Sequence, residues 1–179
     1  MELVQAIETR RSIRSYQENA TVTLDQVKEL IRCAGQAPSW KNSQTGRYYV
    51  VMTPEKIDEV AKETLPEFNA KNCVNAKALI ITTFEGKRAG FDREGNPDNE
   101  LGDMWGAYDL GLQNENLVLR ARDMGLDTLI MGIRDGEKLR AMLEIPESQV
   151  VVAVISLGVR SQDAIAPKRK EVDSIMKVF

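Results

Sequence analysis

A chain of 179 residues has the length of one ordinary domain, and at that size about two thirds of the surface exposed by the unfolded chain can be buried without disulfide or metal staples. With 42% apolar and 28% charged residues and a net charge of −3, it has the balance of a soluble protein and no global basic field for nucleic acid. It contains no histidine, which removes Ser-His-Asp and Cys-His nucleophilic catalysis and the common zinc sites. Chemistry must therefore come from carboxylates, Lys and Arg, hydroxyls, backbone groups or a bound cofactor. The two cysteines, Cys33 and Cys73, form no CxxC pair, and Cys33 reads as a small core residue on a helix. No apolar run approaches the roughly 20 residues needed to span a bilayer. Met1–Arg10 is amphipathic, carries Glu2 and does not read as a signal peptide, so the cytoplasm is the expected location.

Glu2–Thr9 is predicted as a short helix with Leu3, Val4 and Ile7 on one face, followed by a polar, non-periodic stretch over Arg10–Ala20. Thr23 and Gln26 form a T-x-x-Q capping box, with Val22 placed to staple Val27. The helix they start buries Val27, Leu30, Ile31 and Ala34 and ends near Gly35, before Pro38. Arg47–Met52 reads as a strand, and Thr53-Pro54 as an N-cap with proline at the first helical position. That helix carries Ile57, Val60 and Ala61, and a second short helix covers Glu67–Val74. Ala78–Thr83 is an apolar, β-branched run and hence a buried strand. Glu85–Leu101, rich in charge and glycine, reads as an excursion from the core. Asp103–Met124 is the longest helix, on the order of 30 Å, closed by Gly125 in a left-handed cap. Thr128–Met131 is a strand. Asp135 caps a helix carrying Leu139, Met142 and Leu143, Gln149–Leu157 is an apolar strand, and Pro167–Phe179 is a basic tail. Strands interleaved with helices predict one α+β or mixed-sheet domain over residues 1–179, with no second domain and no linker.

GxGxxG and GxxxxGK[ST] are both absent. Arg10-Arg11-Ser12-Ile13-Arg14 places three guanidiniums and a hydroxyl within five residues. Arginine is the preferred bidentate partner of phosphate, although a solvated basic turn fits that segment equally well. In Ala37–Gln44, the side chains of Ser39, Asn42 and Gln44 can meet the edge of a planar heterocycle or simply bond their own backbone. Leu126–Gly132 is a strand ending in glycine, which either permits a ligand close to the backbone or makes an ordinary turn.

In this order the segments resemble the nitroreductase family over Leu3–Arg169. The family's R-x-S-x-[RK] appears as Arg10–Arg14, its A-P-S-x-x-N-x-Q as Ala37–Gln44, and its D-x-G-x-x-x-x-N-L-x-L-x-A as Asp109–Ala121. Gly125–Thr128, the turn Leu143–Pro146, the strand end Leu157-Gly158 and the basic pair Lys168-Arg169 complete the set. Each motif is loose; their fixed order is specific.

The resemblance implies a three-layer α/β/α domain with a mixed, mostly antiparallel sheet. It also implies a homodimer that binds FMN non-covalently between subunits. By position, Arg10, Ser12, Lys168 and Arg169 would contact the phosphate and ribityl chain, and Arg11 would contribute mainly backbone. Arg14 would stand near the flavin N1–O2 edge, and Asn69 would read the pyrimidine edge. Pro38, Ser39, Asn42 and Gly132 would come from the other subunit, with Gln44 also on the cofactor side, and the Met131 or Gly132 N–H would approach flavin N5. No catalytic side chain is implied, because the flavin carries the chemistry. NADH or NADPH would deliver hydride, and a nitroaromatic, quinone or similar small acceptor would then take the same place, giving ping-pong turnover. No metal, nucleic acid or membrane partner is implied. The sequence departs from the family at Thr45-Gly46, where proline and an aromatic are usual, at bulky Trp40 and Lys41, and at Asn72. The excursion, with Phe91, would cover the substrate face. A flavin store or sensor with little turnover is the competing class, and enone reduction, reductive dehalogenation or oxygen-dependent flavin fragmentation are competing chemistries on the same fold. Asp109, inside the long helix, reads as a packing or interface carboxylate.

Overall fold

In the computed structural model, which describes residues 1–179, local signals set most element boundaries. Helix α1 (Leu3–Thr9) is followed by α2 (Leu24–Ala34). At the start of α2, Thr23 Oγ1 accepts from the Gln26 N–H at 3.2 Å and Gln26 Oε1 accepts from the Thr23 N–H at 2.8 Å, so the capping box is complete. Strand β1 (Gly46–Val51) leads to α3 (Pro54–Thr64), which Pro54 opens although the Thr53 side chain makes no capping bond. Helix α4 (Glu67–Asn72) stops two residues short of the predicted end. Strand β2 (Ala78–Glu85), helix α5 (Met104–Asp123) and strand β3 (Asp127–Met131) come next, with Gly125 in the left-handed conformation at φ 76° behind α5. Helix α6 (Gly136–Leu143) begins where Asp135 accepts from the Lys138 N–H at 3.0 Å, and β4 (Gln149–Gly158) is the last strand.

The strands form one sheet in the order β1-β2-β4-β3, with every neighbouring pair antiparallel. Inner strands β2 and β4 are covered on both faces, which is why they read as apolar runs rather than alternations. The pleat sends Leu79 and Ile81 to one face, where Ile57, Val60 and Ala61 of α3 and Leu139 of α6 pack. It sends Ala78 and Ile80 to the other, against Val27 and Leu30 of α2 and Leu117, Val118 and Ala121 of α5. The result is the expected three-layer α/β/α, α+β domain. A single bridge, Ser12 beside Thr128, supplies the parallel component.

That bridge shows what the non-periodic stretch after α1 does. Ile13 N–H donates to Thr128 O at 3.0 Å, Gln17 N–H to Val159 O at 2.9 Å, and Ser161 N–H to Ser15 O at 3.1 Å. Residues 12–17 therefore run along the β3 edge and the exit of β4. Cys33 is not a core residue: it is half-buried, its Sγ 3.5 Å from Glu29 Oε1 on the flank where Arg120 of α5 reaches across. Cys73 is the buried thiol, and burial pushes its pKa up to about 12, which keeps it protonated and inert.

Gly106 lets α5 approach the sheet: a Cβ there would lie 2.3 Å from the Phe84 ring. Helix propensity favours Gly106→Ala by about 1 kcal/mol, whereas overpacking a buried aromatic costs about 1–3 kcal/mol. We expect a net loss of stability, read as a lowered midpoint in urea denaturation. A raised midpoint would mean that the helix can shift away from Phe84.

Candidate cofactor site

The arginine segment and the C-terminal segment meet. Arg10, Arg11, Ser12 and Arg14 line a cavity of about 420 Å³ together with Ala164, Ile165, Pro167 and Arg169. Inside the chain these guanidiniums bond carbonyls: Arg11 Nη1 donates to Arg10 O at 2.6 Å, Arg14 Nη1 to Ser12 O at 3.3 Å and Arg169 Nη1 to Pro167 O at 3.3 Å. The nearest carboxylate contact in this group, Arg10 Nε to Glu115 Oε1, is 3.8 Å, beyond hydrogen-bond reach, and Arg10 Nε is buried with no partner. Four guanidiniums around one cavity, one with an unsatisfied donor, suit an anionic, multidentate guest such as a phosphate monoester. Lys168, expected beside Arg169, is outside this cavity's lining; with Lys170 and Glu171 it lines an adjoining hollow that shares Arg169.

Further along the same sheet edge lie Met131, which is buried, and Gly132, which is exposed. Asn69 of α4 is buried and donates through Nδ2 to Ile133 O at 3.2 Å, which brings it beside Gly132. The bridge to Thr128 puts Ser12 three residues before Met131 on that edge, within one chain.

The largest hollow, about 830 Å³, lies past Ile133 and is lined by Glu63, Arg134, Glu137, Arg140 and Glu147 among others. Its charges are of both signs; Arg134 Nη2 donates to Val151 O at 2.6 Å and Arg140 Nη2 to Gln149 O at 3.0 Å, while Arg134 Nε, like Arg10 Nε, is buried without a partner. Size therefore points one way and charge the other. For an anion the smaller arginine cavity has the better electrostatics.

The Ala37–Gln44 segment does not reach the arginine cavity: Pro38, Ser39, Asn42 and Gln44 all lie outside its lining. Trp40–Asn42 forms a 3-10 turn, and Lys41, Asn42 and Gln44 adopt left-handed φ values of 46°, 54° and 49°. Ser39 Oγ accepts from Gln44 N–H at 3.1 Å, and Gln44 Nε2 donates to Asn42 Oδ1 at 3.2 Å. Asp109 Oδ2 accepts from the Trp40 N–H at 2.8 Å. Burial raises the Asp109 carboxyl above the usual carboxylate range, and the Trp40 N–H opposes that shift. The Trp40 and Trp105 rings stand 4.6 Å apart, and Tyr108 packs edge-on against Trp105 at 5.6 Å. Lys41 Nζ pairs with Asp98 Oδ2 at 2.7 Å, and Trp105 Nε1 donates to Asn99 Oδ1 at 2.9 Å, so the excursion folds onto this loop and the start of α5.

Sequence reasoning missed the group that holds the edge together. Asp127, at the start of β3, accepts from Arg160 Nη2 at 2.6 Å, Arg160 Nε at 2.9 Å and the Arg160 backbone N–H at 3.1 Å. The only signal available was a carboxylate opening a buried strand, with nothing local to name its partner. No helix is long and apolar enough to cross a membrane, and no cluster of three metal-ligating side chains exists.

An antiparallel sheet between two helical layers, with an arginine-lined cavity at its edge, defines an α+β protein of the three-layer class. The nitroreductase family model matches residues 7–159. A protein of Archaeoglobus fulgidus with the provisional name NADH dehydrogenase/NAD(P)H nitroreductase is 30% identical over 166 residues, covering 88% of this chain and 84% of its own. Among solved structures, the enone reductase CLA-ER of gut-bacterial fatty acid saturation superposes with a TM-score of 0.87 at 20% identity, over 99% of this chain and 97% of its own. A protein of Exiguobacterium sibiricum, provisionally named a nitroreductase and crystallised with FMN, gives a TM-score of 0.82 at 21% identity over 100% and 98%. At those identities the two structures establish the fold. The chain belongs to the nitroreductase family.

Proposed function

We propose that the chain is an NAD(P)H-dependent oxidoreductase that works as an FMN-loaded homodimer and reduces a small acceptor such as a nitroaromatic or a quinone. The observation that carries this reading is the cavity of Arg10, Arg11, Arg14 and Arg169, with its unsatisfied Arg10 Nε, on the sheet edge that leads to Gly132, beside which Asn69 of α4 sits. Arg10, Arg11, Ser12 and Arg169 would hold the phosphate, with Lys168 as an added cation on the tail. Arg14 would face the pyrimidine ring, where a cation favours negative charge. The Asn69 amide donor is engaged with Ile133 O, which leaves its carbonyl oxygen to accept from a ring N–H. Of Met131 and Gly132, Gly132 would offer its backbone N–H, because the alternation that turns Thr128 O outward to Ile13 turns the Met131 backbone inward to β4; we assign Gly132 to the chain that supplies Arg10, in place of the partner. FMN, when bound, would supply the two-electron chemistry that no side chain of the protein provides.

Pro38, Ser39, Asn42 and Gln44 would come from the partner subunit. The dimer is supported by apolar surface that one chain leaves uncovered: Leu3, Val4 and Ile7 on α1, Met104 and Tyr108 on α5, and Val172, Ile175, Val178 and Phe179 on the tail. A twofold arrangement is the commonest way to cover such surface. Its compartment would be the cytoplasm, where the free thiols of Cys33 and Cys73 would stay reduced.

Purified protein is expected to carry FMN and to oxidise NADH or NADPH when an acceptor is present. Because donor and acceptor would take the same place in turn, double-reciprocal plots at several acceptor concentrations should be parallel. Intersecting lines would mean that both substrates bind together. Bound FMN that neither nicotinamide reduces would make the protein a store or sensor, and the absence of FMN binding would overturn the reading outright.

A further inference from the structure

Three backbone residues of the Ser39–Gln44 loop hold conformations that non-glycine residues disfavour: Lys41, Asn42 and Gln44, at φ 46°, 54° and 49°. Such a segment keeps its shape only where its surroundings over-determine it. Most of the ties are peripheral. Ser39 Oγ closes on Gln44 N–H, Arg47 Nη1 donates to Gln44 O at 2.9 Å from an exposed side chain, and Lys41 meets Asp98 in solvent. Asp109 differs from these. It is 3% exposed and sits in the second turn of α5, where Gly106 and Leu110 lock the helix to the sheet side of the molecule. Its one hydrogen bond is to the Trp40 N–H, the entry of the 3-10 turn.

No cation lies within ion-pair distance of the Asp109 carboxylate, although buried carboxylates are ordinarily paired. A packing role alone would be met by an apolar side chain of the same volume, without leaving a carboxylate in a dry site. The Trp40 ring adds an independent observation. Its Nε1 is buried and has no hydrogen-bond partner, so the ring is held by tilted contact with Trp105, planes 45° apart, and by the backbone anchor at Asp109. Both Trp105 and Asp109 belong to α5, four residues apart, and therefore act from one rigid support.

We propose that Asp109 is a positioning residue for the cofactor site of the opposite subunit: it fixes the loop carrying Ser39 and Asn42 in the one shape that lets those side chains face the partner's FMN. This rests on the shared-site dimer proposed above. Asp109 itself touches neither cofactor nor substrate; it acts through the Trp40 N–H. The required feature is an acceptor oxygen, not a charge, so Asp109→Asn should substitute for the native residue and Asp109→Leu should not.

The test uses full-length protein. In flavin-free samples, exciton-coupled circular dichroism of the Trp40–Trp105 pair should be native-like in Asp109→Asn and lost in Asp109→Leu. FMN affinity should fall about tenfold or more in the leucine variant and stay near native in the asparagine variant, as for the loss of one buried acceptor. Should the leucine chain fail to fold, Asp109→Ser, which is small and polar and too short to reach Trp40, replaces it. Co-expression then locates the defect. Paired with a chain carrying Arg10→Ala and Arg169→Ala, the Asp109→Leu chain should restore about a quarter of the sites, because both defects fall on the same site of each heterodimer. Paired with a chain carrying Ser39→Ala and Asn42→Ala, it should restore none. Asparagine behaving like leucine, or the two pairings giving the reverse pattern, would overturn the assignment while leaving the shared site intact. If the Arg10/Arg169 chain and the Ser39/Asn42 chain fail to complement each other, the shared-site reading itself fails, and this inference with it.

Discussion

Arg160→Ala is expected to destabilise the fold by about 3–5 kcal/mol, the usual result of removing one member of a buried ion pair. The Asp127 side chain is 2% exposed and that of Arg160 14%. Two guanidinium nitrogens and the Arg160 backbone N–H converge on the Asp127 carboxylate. Without the guanidinium, Asp127 would keep the backbone N–H and a distant Arg122, whose Nη1 is 3.8 Å away. For a domain of this size the loss should lower the melting temperature by roughly 6–20 °C. Asp127→Asn combined with Arg160→Met should recover much of it, because removing both charges leaves none uncompensated. A single-variant loss under about 1 kcal/mol would place the pair among solvent-screened surface bridges.

Arg10→Ala and Arg169→Ala are each expected to weaken FMN binding by about 1.5–3 kcal/mol, the range for a hydrogen bond to a charged group. Both side chains line one cavity, so the double variant need not be additive. The apo protein should melt at or above the native temperature, because the substitutions relieve repulsion among the cavity's four guanidiniums. Lys168→Ala serves as the contrast. It is outside the lining of the arginine cavity and should change affinity by no more than about 1 kcal/mol. Fluorescence titration of apo protein with FMN measures all four variants. Equal effects at Lys168 and Arg169 would show that the tail moves on binding.

The parts of the fold legible in the sequence are those written in adjacent residues. Thr23 with Gln26, Asp135 ahead of Lys138, Pro54 and Gly125 each act on a backbone group within a few positions, so helix starts and stops could be read directly. Inner strands announced themselves as apolar runs because both faces are covered. The partnership of Arg10–Arg14 with Arg169 was legible only through resemblance, since nothing local joins residues so far apart. Asp127–Arg160 escaped notice for the same reason. Cys33 was misplaced because periodicity says which residues share a helix face, not which neighbour covers that face. The Thr45-Gly46 departure has a packing cause: a Cβ on Gly46 would sit 2.0 Å from Gln113 Oε1, the oxygen that accepts from Tyr48 at 2.9 Å.

The arginine segment rests against strand β3, and β3 has one sheet neighbour, β4, the last strand in the chain. While the chain is being synthesised, Arg10–Arg14 are among the first residues to emerge, yet their support does not exist until Gln149–Gly158 has threaded between β2 and β3. Pairing so distant in sequence is slow to form. On the function proposed above, cofactor loading would therefore be a late event, following closure of the sheet, and a nascent or truncated chain lacking β4 would present its arginines to solvent as an unstructured basic segment.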